Sequence, residues 1–254
     1  MLKDFTKEKF DIIIQAGQSN AEGYGFGPAS EPYTPCDKVY YLNADLTVSA
    51  ACEKVRGNEI QTNWGLSFSR EYIKAGMLGE GRRLLILRCA VGSTGFSDKR
   101  WGMEDDLYLH MMEMIRTALA LNGENRLVAL LWHQGETDAM KHASFDTHYT
   151  NLMTLLQSVR SAFGVPDLPF VAGDFVEEWK NNNIEICTPV VDAIRAVCRD
   201  CGNGGFVESD GLQSNNQALS YYPLGWKDTI HFTREAVYEL GVRYFHCFSG
   251  IVKA

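Results

Sequence analysis

The chain has 254 residues, of which 45% are hydrophobic and 22% are charged, a composition typical of a soluble globular protein with one core. Its net charge of −8 argues against nucleic acids and anionic membrane surfaces as partners, because binding phosphate groups requires a basic face. No apolar run approaches the roughly 20 residues of a membrane span. The start of the chain does not resemble a signal peptide, so the seven scattered cysteines predict a reduced, cytoplasmic protein.

From the N-terminus onward, the pattern predicts strands that alternate with helices. Short apolar runs predict buried strands over residues 12–14, 84–87, 127–132, 170–172 and 204–207, with a small hairpin or an edge element near residues 39–48. Apolar residues at helical spacing predict helices over residues 64–75, 105–121, 145–163, 190–197 and 233–248. Strands separated by helices of this length indicate βαβ units. We therefore predict an α/β fold, a single three-layer domain over residues 1–254 with a mostly parallel five-stranded sheet.

Loops of small or polar residues follow these strands, in the order Ser19, Gly92-Ser93 and Gln134-Gly135-Glu136. Right-handed crossovers bring the carboxyl ends of parallel strands to one edge of the sheet, where α/β proteins bind their ligands. The segment from Asp228 to His231, ahead of the last helix, can be placed near the same edge. Taken alone, Ser19 fits an ordinary turn better than a nucleophile, so its role depends on these neighbours.

Together the loops supply what acyl transfer requires. A serine is a weak nucleophile until a base removes its proton, and His231 can be that base. Asp228, three residues earlier, can accept the other ring N–H and fix the tautomer of the imidazole. Backbone N–H groups at Ser19 and in the Gly92-Ser93 loop, with the side-chain amide of Gln134, can point at a developing oxyanion. One such donor typically contributes about 3 kcal/mol in the transition state.

These residues belong to motifs that resemble those of the SGNH hydrolase superfamily: G-Q-S-N at residues 17–20, Q-G-E-T-D at residues 134–138 and D-x-x-H-F at residues 228–232. Within it, the chain resembles the sialate O-acetylesterase-related branch, which includes the acetylxylan esterases of carbohydrate esterase family six. The stretch N-W-G-L-S-F at residues 63–68 also resembles that branch's G-P-x-x-x-F, with Leu66 in place of proline. The resemblance spans nearly the whole chain and implies the flavodoxin-like fold of SGNH hydrolases.

The resemblance implies a catalytic Ser19–His231 pair with an acid behind the histidine. Asp228 takes that place by its position in D-x-x-H-F. Some members are described with the glutamate of Q-G-E, here Glu136, as the partner of the histidine. Both acids therefore remain candidates, and Glu136 has the alternative role of holding its own loop.

The resemblance also implies an oxyanion hole formed by the Ser19 backbone, the loop at residues 92–93 and Gln134. Two departures affect this expectation. Ser93 stands where the branch usually has glycine, and Ala21 stands where it often has a bulky residue. Whether the N–H of Gly92 or that of Ser93 serves as a donor stays open.

The predicted function is a serine esterase that removes O-linked acetyl groups from a small carbohydrate, either an oligosaccharide or sialic acid, through an acetyl-serine intermediate. No cofactor is needed, and the residues around Glu136 lack a matching set of metal ligands. The alternatives are a lipase or thioesterase acting on longer acyl chains and a sugar-binding protein that has lost catalysis. Trp101, Tyr222 and Trp226 could stack on a sugar or anchor their loops, and Phe96 and Trp101 could form a wall that rejects longer acyl chains. Neither the sugar nor the oligomeric state can be inferred from the sequence.

Overall fold

The computed structural model describes residues 4–221 and 225–253. After a short 3₁₀ helix at Phe5–Lys7, the strands are Lys9–Gly17 (β1), Val39–Leu42 (β2), Val48–Ala50 (β3), Lys54–Arg56 (β4), Glu59–Gln61 (β5), Arg82–Ala90 (β6), Arg126–His133 (β7), Phe170–Gly173 (β8) and Gly204–Val207 (β9). The helices are Ser19–Glu22 (α1), Trp64–Lys74 (α2), Asp106–Ala120 (α3), Glu136–Met140 (α4), Phe145–Ala162 (α5), Glu177–Asn182 (α6), Ile184–Asp200 (α7), Asn215–Ala218 (α8) and Arg234–Lys253 (α9).

The main sheet has the strand order β3-β2-β6-β1-β7-β8-β9. All neighbouring strands are parallel except β2 and β3, which form an antiparallel hairpin at one edge. The predicted α/β class with a mostly parallel sheet is confirmed. The predicted count of five strands is wrong. Strand β2 pairs with β6, so the β2–β3 hairpin joins the main sheet and extends it to seven strands.

Strand β1 lies at the centre of this sheet and is covered on both faces. Ile12, Ile13 and Ile14 have no exposed surface. Since neighbouring residues of a strand point to opposite faces, their burial requires a layer of helices on each side. Helix α2 packs against α9, and α5 packs against α7.

The carboxyl ends of β6, β1 and β7 lie side by side, and each continues into one of the loops that the sequence singled out. After β1 the chain forms β2 and then β6 on one side of it, and it crosses to the other side to form β7, so the chain order reverses at β1. Such a reversal opens a crevice at the carboxyl edge of a parallel sheet. A second, two-stranded sheet, β4 with β5, forms a hairpin arm whose base is joined to the segment after α1 by a bridge between Gly25 and Thr62.

Within the described residues, no helix is long and apolar enough to cross a membrane.

Candidate active site

Ser19 is the first residue of helix α1 and directly follows the turn that ends β1. Gly17 begins this turn with φ +137, and a Cβ there would lie 2.1 Å from the carbonyl oxygen of His133. Glycine is therefore required for β1 and β7 to approach this closely, and the N–H of Gln18 bonds that same carbonyl at 3.0 Å. The turn places Ser19 at the N-terminus of a helix, where the first N–H groups have no partner within the helix.

His231 and Asp228 lie in the loop before α9 and meet Ser19. The Nε2 atom of His231 is 2.8 Å from the Oγ atom of Ser19. The Nδ1 atom is 2.8 Å from Oδ1 of Asp228, which also accepts the backbone N–H of His231 at 3.2 Å. Asn215 donates to Oδ2 of Asp228 at 2.8 Å, so both carboxylate oxygens are satisfied in a residue that is only 1% exposed.

This arrangement fixes the tautomer of the imidazole. An ionised carboxylate only accepts hydrogen bonds, so Asp228 requires the ring proton on Nδ1. The Nε2 atom of His231 is then left with a lone pair that faces the hydroxyl group of Ser19. The three side chains can therefore carry out the first proton transfer of acyl transfer without rearrangement.

Glu136 is completely buried and forms no hydrogen bond to His231 within the described part of the chain. Its Oε1 atom accepts a hydrogen bond from Nδ2 of Asn20 at 2.9 Å and lies 3.9 Å from Nε2 of His133. Burial raises the pKa of Glu136 above its ordinary value, although the bond from Asn20 opposes this shift. Of the two candidate acids, Asp228 is the one that the structure places on the histidine.

His133, at the end of β7, is part of the same buried region. Its Nδ1 atom is 3.0 Å from the hydroxyl group of Tyr244, and Nε2 has no hydrogen-bond partner among the described residues. Burial lowers the pKa of His133 to about 3, so the ring is neutral near pH 7. Among residues 4–221 and 225–253, no group of three His, Cys, Asp or Glu side chains is arranged to hold a metal ion.

The candidate oxyanion donors differ in availability. Gln134 is buried, and its amide nitrogen lies 2.7 Å from Oδ2 of Asp138 and 3.2 Å from the carbonyl oxygen of Thr94. Both amide hydrogens are thus used to hold the loop after β6, and Gln134 does not line the cleft. This placement disagrees with its expected role as a direct oxyanion donor.

The loop after β6 lies beside Ser19, as expected. The N–H of Gly92 donates to Oε2 of Glu22 at 2.9 Å, so a side chain of α1 occupies this donor. Ser93 has φ +59, in the left-handed region, and its N–H donates to no protein atom among the described residues. A Cβ on Gly92 would lie 3.5 Å from Cβ of Ser19, which shows how close the loop and the nucleophile are.

The three aromatic residues expected to contact a sugar, Trp101, Tyr222 and Trp226, differ in where they lie relative to the cleft. Trp101 is 1% exposed, packs edge-on against Trp132 and donates its indole N–H to Oγ1 of Thr94. It therefore anchors the loop and offers no face to a sugar. Phe96 also packs on Trp132, so neither side chain forms the predicted wall of the cleft. Tyr222 lies outside the described residues. Trp226 is 49% exposed and does line the cleft.

The cleft above Ser19 has a volume of about 710 Å³. Among the lining residues that the sequence did not single out are Glu22, Tyr24 and Arg56. The Tyr24 ring stacks on the imidazole of His231, with ring centroids 4.8 Å apart and an interplanar angle of 22°. Glu22 and Tyr24 lie two and four residues after the end of G-Q-S-N, and that proximity was the available signal, whereas nothing in the sequence placed Arg56 here.

Two further residues that the sequence did not single out support the site from behind. Asn20 donates to Glu136 and to the carbonyl oxygen of Ile230, and its Oδ1 atom accepts the N–H of Phe232 at 3.4 Å. Asn215, which holds Asp228, opens helix α8, whose four residues are too few to leave a periodic signal in the sequence. Asn20 could have been found, because it is the last residue of the G-Q-S-N motif.

The fold and the site together define a class: an α/β protein with a serine–histidine–aspartate arrangement at the carboxyl edge of a parallel sheet. Within that class, the chain belongs to the carbohydrate esterase, sialic acid-specific acetylesterase family, whose model matches residues 9–249. This membership confirms the resemblance seen in the sequence and makes the chain a carbohydrate esterase.

Individual relatives agree with the family. The probable carbohydrate esterase At4g34215 of Arabidopsis thaliana is 23% identical over 256 residues, which cover 91% of this chain and 87% of that protein. The probable 9-O-acetyl-N-acetylneuraminic acid deacetylase of Escherichia coli (strain K12) is 32% identical over 90 residues, which cover 33% of this chain and 28% of that protein. The crystal structure of NanS superposes with a TM-score of 0.80 at 18% identity, covering 97% of this chain and 98% of that one, and shares the fold.

Proposed function

We propose that this chain removes O-linked acetyl groups from a sugar through an acetyl-enzyme formed on Ser19. One observation carries the proposal: hydrogen bonds of 2.8 Å run from Oγ of Ser19 to Nε2 of His231 and from Nδ1 of His231 to Asp228. This line of bonds lies in a cleft of about 710 Å³, a volume within the range of small-molecule sites.

The reaction follows from this geometry. Nε2 of His231 takes the hydroxyl proton as Oγ of Ser19 attacks the acetyl carbonyl carbon, and Asp228 stabilises the imidazolium that forms. The tetrahedral intermediate collapses, His231 returns the proton to the departing sugar oxygen, and acetyl-serine remains. A water molecule then gives its proton to His231 and attacks the acetyl carbon, and acetate leaves as the proton returns to Ser19.

The carbonyl oxygen becomes negative in both steps and requires donors beside Ser19. We assign this role to the N–H of Ser19, which opens α1, and to the N–H groups of the Gly92-Ser93 loop. The bond from Gly92 to the Glu22 carboxylate supports the assignment, since it shows that this N–H can bind a negatively charged oxygen at the cleft. Gln134 acts indirectly, by holding the loop that carries these donors.

A matched pair of alanine substitutions tests the nucleophile. Ser19→Ala should lower the turnover of a chromogenic acetate ester by several orders of magnitude, to the roughly 10³–10⁴-fold advantage over water that such sites keep without their nucleophile. Ser161→Ala, an exposed serine on α5, is the control and should turn over like wild type. A Ser19→Ala enzyme that stays near the wild-type rate would show that the mechanism is wrong.

Acyl-chain length tests the class of ester. The lining of the cleft includes Val91, Thr137 and Ile230 but neither Phe96 nor Trp101, so the acyl pocket is not the Phe96–Trp101 wall that the sequence suggested. We expect acetate esters to be hydrolysed faster than butyrate and longer esters. A preference for long chains would instead favour lipase or thioesterase chemistry.

We also infer a cytoplasmic site of action. All seven cysteines are free, and an odd number of unpaired thiols is typical of proteins in reducing compartments. Cell fractionation with an antibody against the chain measures this directly, and recovery outside the cytoplasm would contradict it.

A further inference from the structure

Arg56 lies at the tip of the β4–β5 hairpin, where the arm reaches the cleft. The arm is tied to the opposite wall, because the hydroxyl group of Tyr221 donates to Glu59 at 3.0 Å. The base of the hairpin arm is joined to the segment after α1, the helix that Ser19 opens, by the bridge between Gly25 and Thr62. The position of Arg56 is therefore defined by both walls of the cleft, although its side chain is exposed.

Most arginines of this chain have a carboxylate partner. Nine of the 13 form ion pairs with an N–O distance of 4.0 Å or less, and Arg160 binds backbone carbonyl groups. Within the described residues, Arg56 and Arg116 have neither kind of partner, and Arg88 has a 3.5 Å bond to the carbonyl oxygen of Glu22. Arg56 lies at the cleft, and Arg88 lies in the pocket beside it. In a chain with a net charge of −8, a cleft is an unusual place for an arginine without a carboxylate partner.

Arg56 is coupled to the catalytic residues through one aromatic ring. Its guanidinium carbon lies 5.5 Å from the centroid of Tyr24, and Tyr24 stacks on His231 at 4.8 Å. The guanidinium group is therefore no farther from the imidazole than these two distances laid end to end. That separation fits a substrate whose ester faces Ser19 while an acidic group on the same sugar faces Arg56.

The neighbouring charges favour one orientation of such a substrate. Lys54 lies two residues before Arg56 on the same face of β4, and with Arg88 it lines a pocket of about 190 Å³ beside the cleft. Glu22 lines both the pocket and the cleft, and its carboxylate accepts the N–H of Gly92 beside the nucleophile. An anionic substrate is attracted to the hairpin and repelled from the Glu22 side, so its acidic group belongs on the hairpin.

We propose that Arg56 binds the carboxylate of an O-acetylated acidic sugar and thereby determines which sugar esters this site prefers. Guanidinium groups suit this task because their planar donors match the two oxygens of a carboxylate. The inference rests on the proposed esterase function and adds the residue that recognises the acidic group of the sugar.

The test compares two esters that differ only in charge: 9-O-acetyl-N-acetylneuraminic acid and the methyl ester of its carboxyl group. We expect wild type to show a kcat/KM about tenfold higher for the acid, the lower end for a hydrogen bond to a charged group because Arg56 is exposed. In Arg56→Gln, the ratio of the two values should fall towards one. Arg56→Lys keeps the positive charge but loses the planar pair of N–H donors, so it should retain part of the wild-type ratio between the acid and its methyl ester.

Arg116→Gln is the matched control. Arg116 is also exposed, also lies over an aromatic ring (Phe163, at 6.0 Å) and has no carboxylate partner in the described part of the chain, but it sits on α3 away from the cleft. This variant should keep the wild-type ratio. Salt at about 0.5 M should reduce the preference of wild type, since exposed charges are screened.

The outcomes separate the two proposals. If wild type hydrolyses both sugar esters with equal kcat/KM, or if Arg56→Gln keeps the full preference for the acid, the assignment of Arg56 is overturned while the esterase function stands. If wild type releases acetate from neither sugar ester nor from a chromogenic acetate, the proposed function fails and this inference fails with it.

Discussion

Replacing Asp228 with asparagine keeps the shape of the side chain and removes its charge. The carboxylate now accepts three hydrogen bonds: Oδ1 from the backbone N–H and Nδ1 of His231, and Oδ2 from Asn215. An amide has one accepting oxygen and one donating nitrogen, so one side of residue 228 must lose its bonds. Two donors lie on the His231 side and one on the Asn215 side. We therefore expect the amide oxygen to face His231 and the amide nitrogen to oppose Asn215.

The expected loss of kcat in Asp228→Asn follows from that orientation of the amide. The ring keeps its tautomer, and catalysis loses only the charge that stabilises the imidazolium. A hydrogen bond to a charged group contributes about 1.5–3 kcal/mol, and about 1.4 kcal/mol corresponds to tenfold in rate. Asp228→Asn should therefore lower kcat roughly ten- to hundredfold. If the amide nitrogen faced His231 instead, the wrong tautomer would cost about 10⁴-fold, as it does in other serine–histidine–aspartate enzymes.

The assay is steady-state turnover of a chromogenic acetate, with Glu136→Gln as the matched variant. Burial raises the pKa of Glu136, and its Oε1 atom accepts a bond from Asn20, an interaction that a glutamine oxygen preserves. We expect Glu136→Gln to retain kcat within about threefold of wild type, because no bond to His231 is lost. The reasoning is refuted if Glu136→Gln loses more turnover than Asp228→Asn, and the orientation argument fails if Asp228→Asn loses the full 10⁴-fold.

Two other substitutions probe the buried and charged groups around the site. Because burial lowers the pKa of His133 to about 3, the unfolded chain binds a proton below pH 6.5 that the folded chain does not. Stability should fall as the pH drops from 6.5 towards 3, by about 2 kcal/mol at pH 5 from this group, and His133→Asn should lose less when urea unfolding is compared at pH 8 and pH 5. Glu22→Gln removes the charge that competes with the oxyanion for the N–H of Gly92, so kcat for a chromogenic acetate should rise roughly threefold or more. A lower kcat in that variant would mean that Glu22 assists the reaction.

Much of the site could be predicted because it follows from the topology of parallel strands. Once the apolar runs are assigned as strands, the loops after β1, β6 and β7 must share one edge, and Ser19 meets the Gly92-Ser93 loop there. The meeting of His231 with Ser19 depends instead on the family motif, since the loop before α9 has no strand of its own to place it. The structure agrees with both expectations at the level of atomic distances.

The parts that could not be predicted depend on contacts between side chains, which leave no periodic trace in a sequence. Trp101 looked available because it lies in a loop, yet it fills a space beside Trp132 in the core. Gln134 looked like an oxyanion donor, but Asp138, four residues later, takes its amide hydrogen. The strands of the β4–β5 hairpin are three residues each and mostly exposed, so they lack the alternating burial that indicates a strand.

The role of Glu136 in its motif can be understood through Asn20. Glu136 is a buried carboxyl group without a hydrogen bond to the histidine among the described residues, and burying such a group destabilises a fold unless another group bonds to it. Its Oε1 atom holds Nδ2 of Asn20, and the same amide group binds the carbonyl oxygen of Ile230 and the N–H of Phe232, on either side of His231. Asn20 is also the residue next to Ser19. Glu136 therefore fixes the joint between the nucleophile turn and the histidine loop, so it supports the distance from Oγ to Nε2 without forming a bond to the ring.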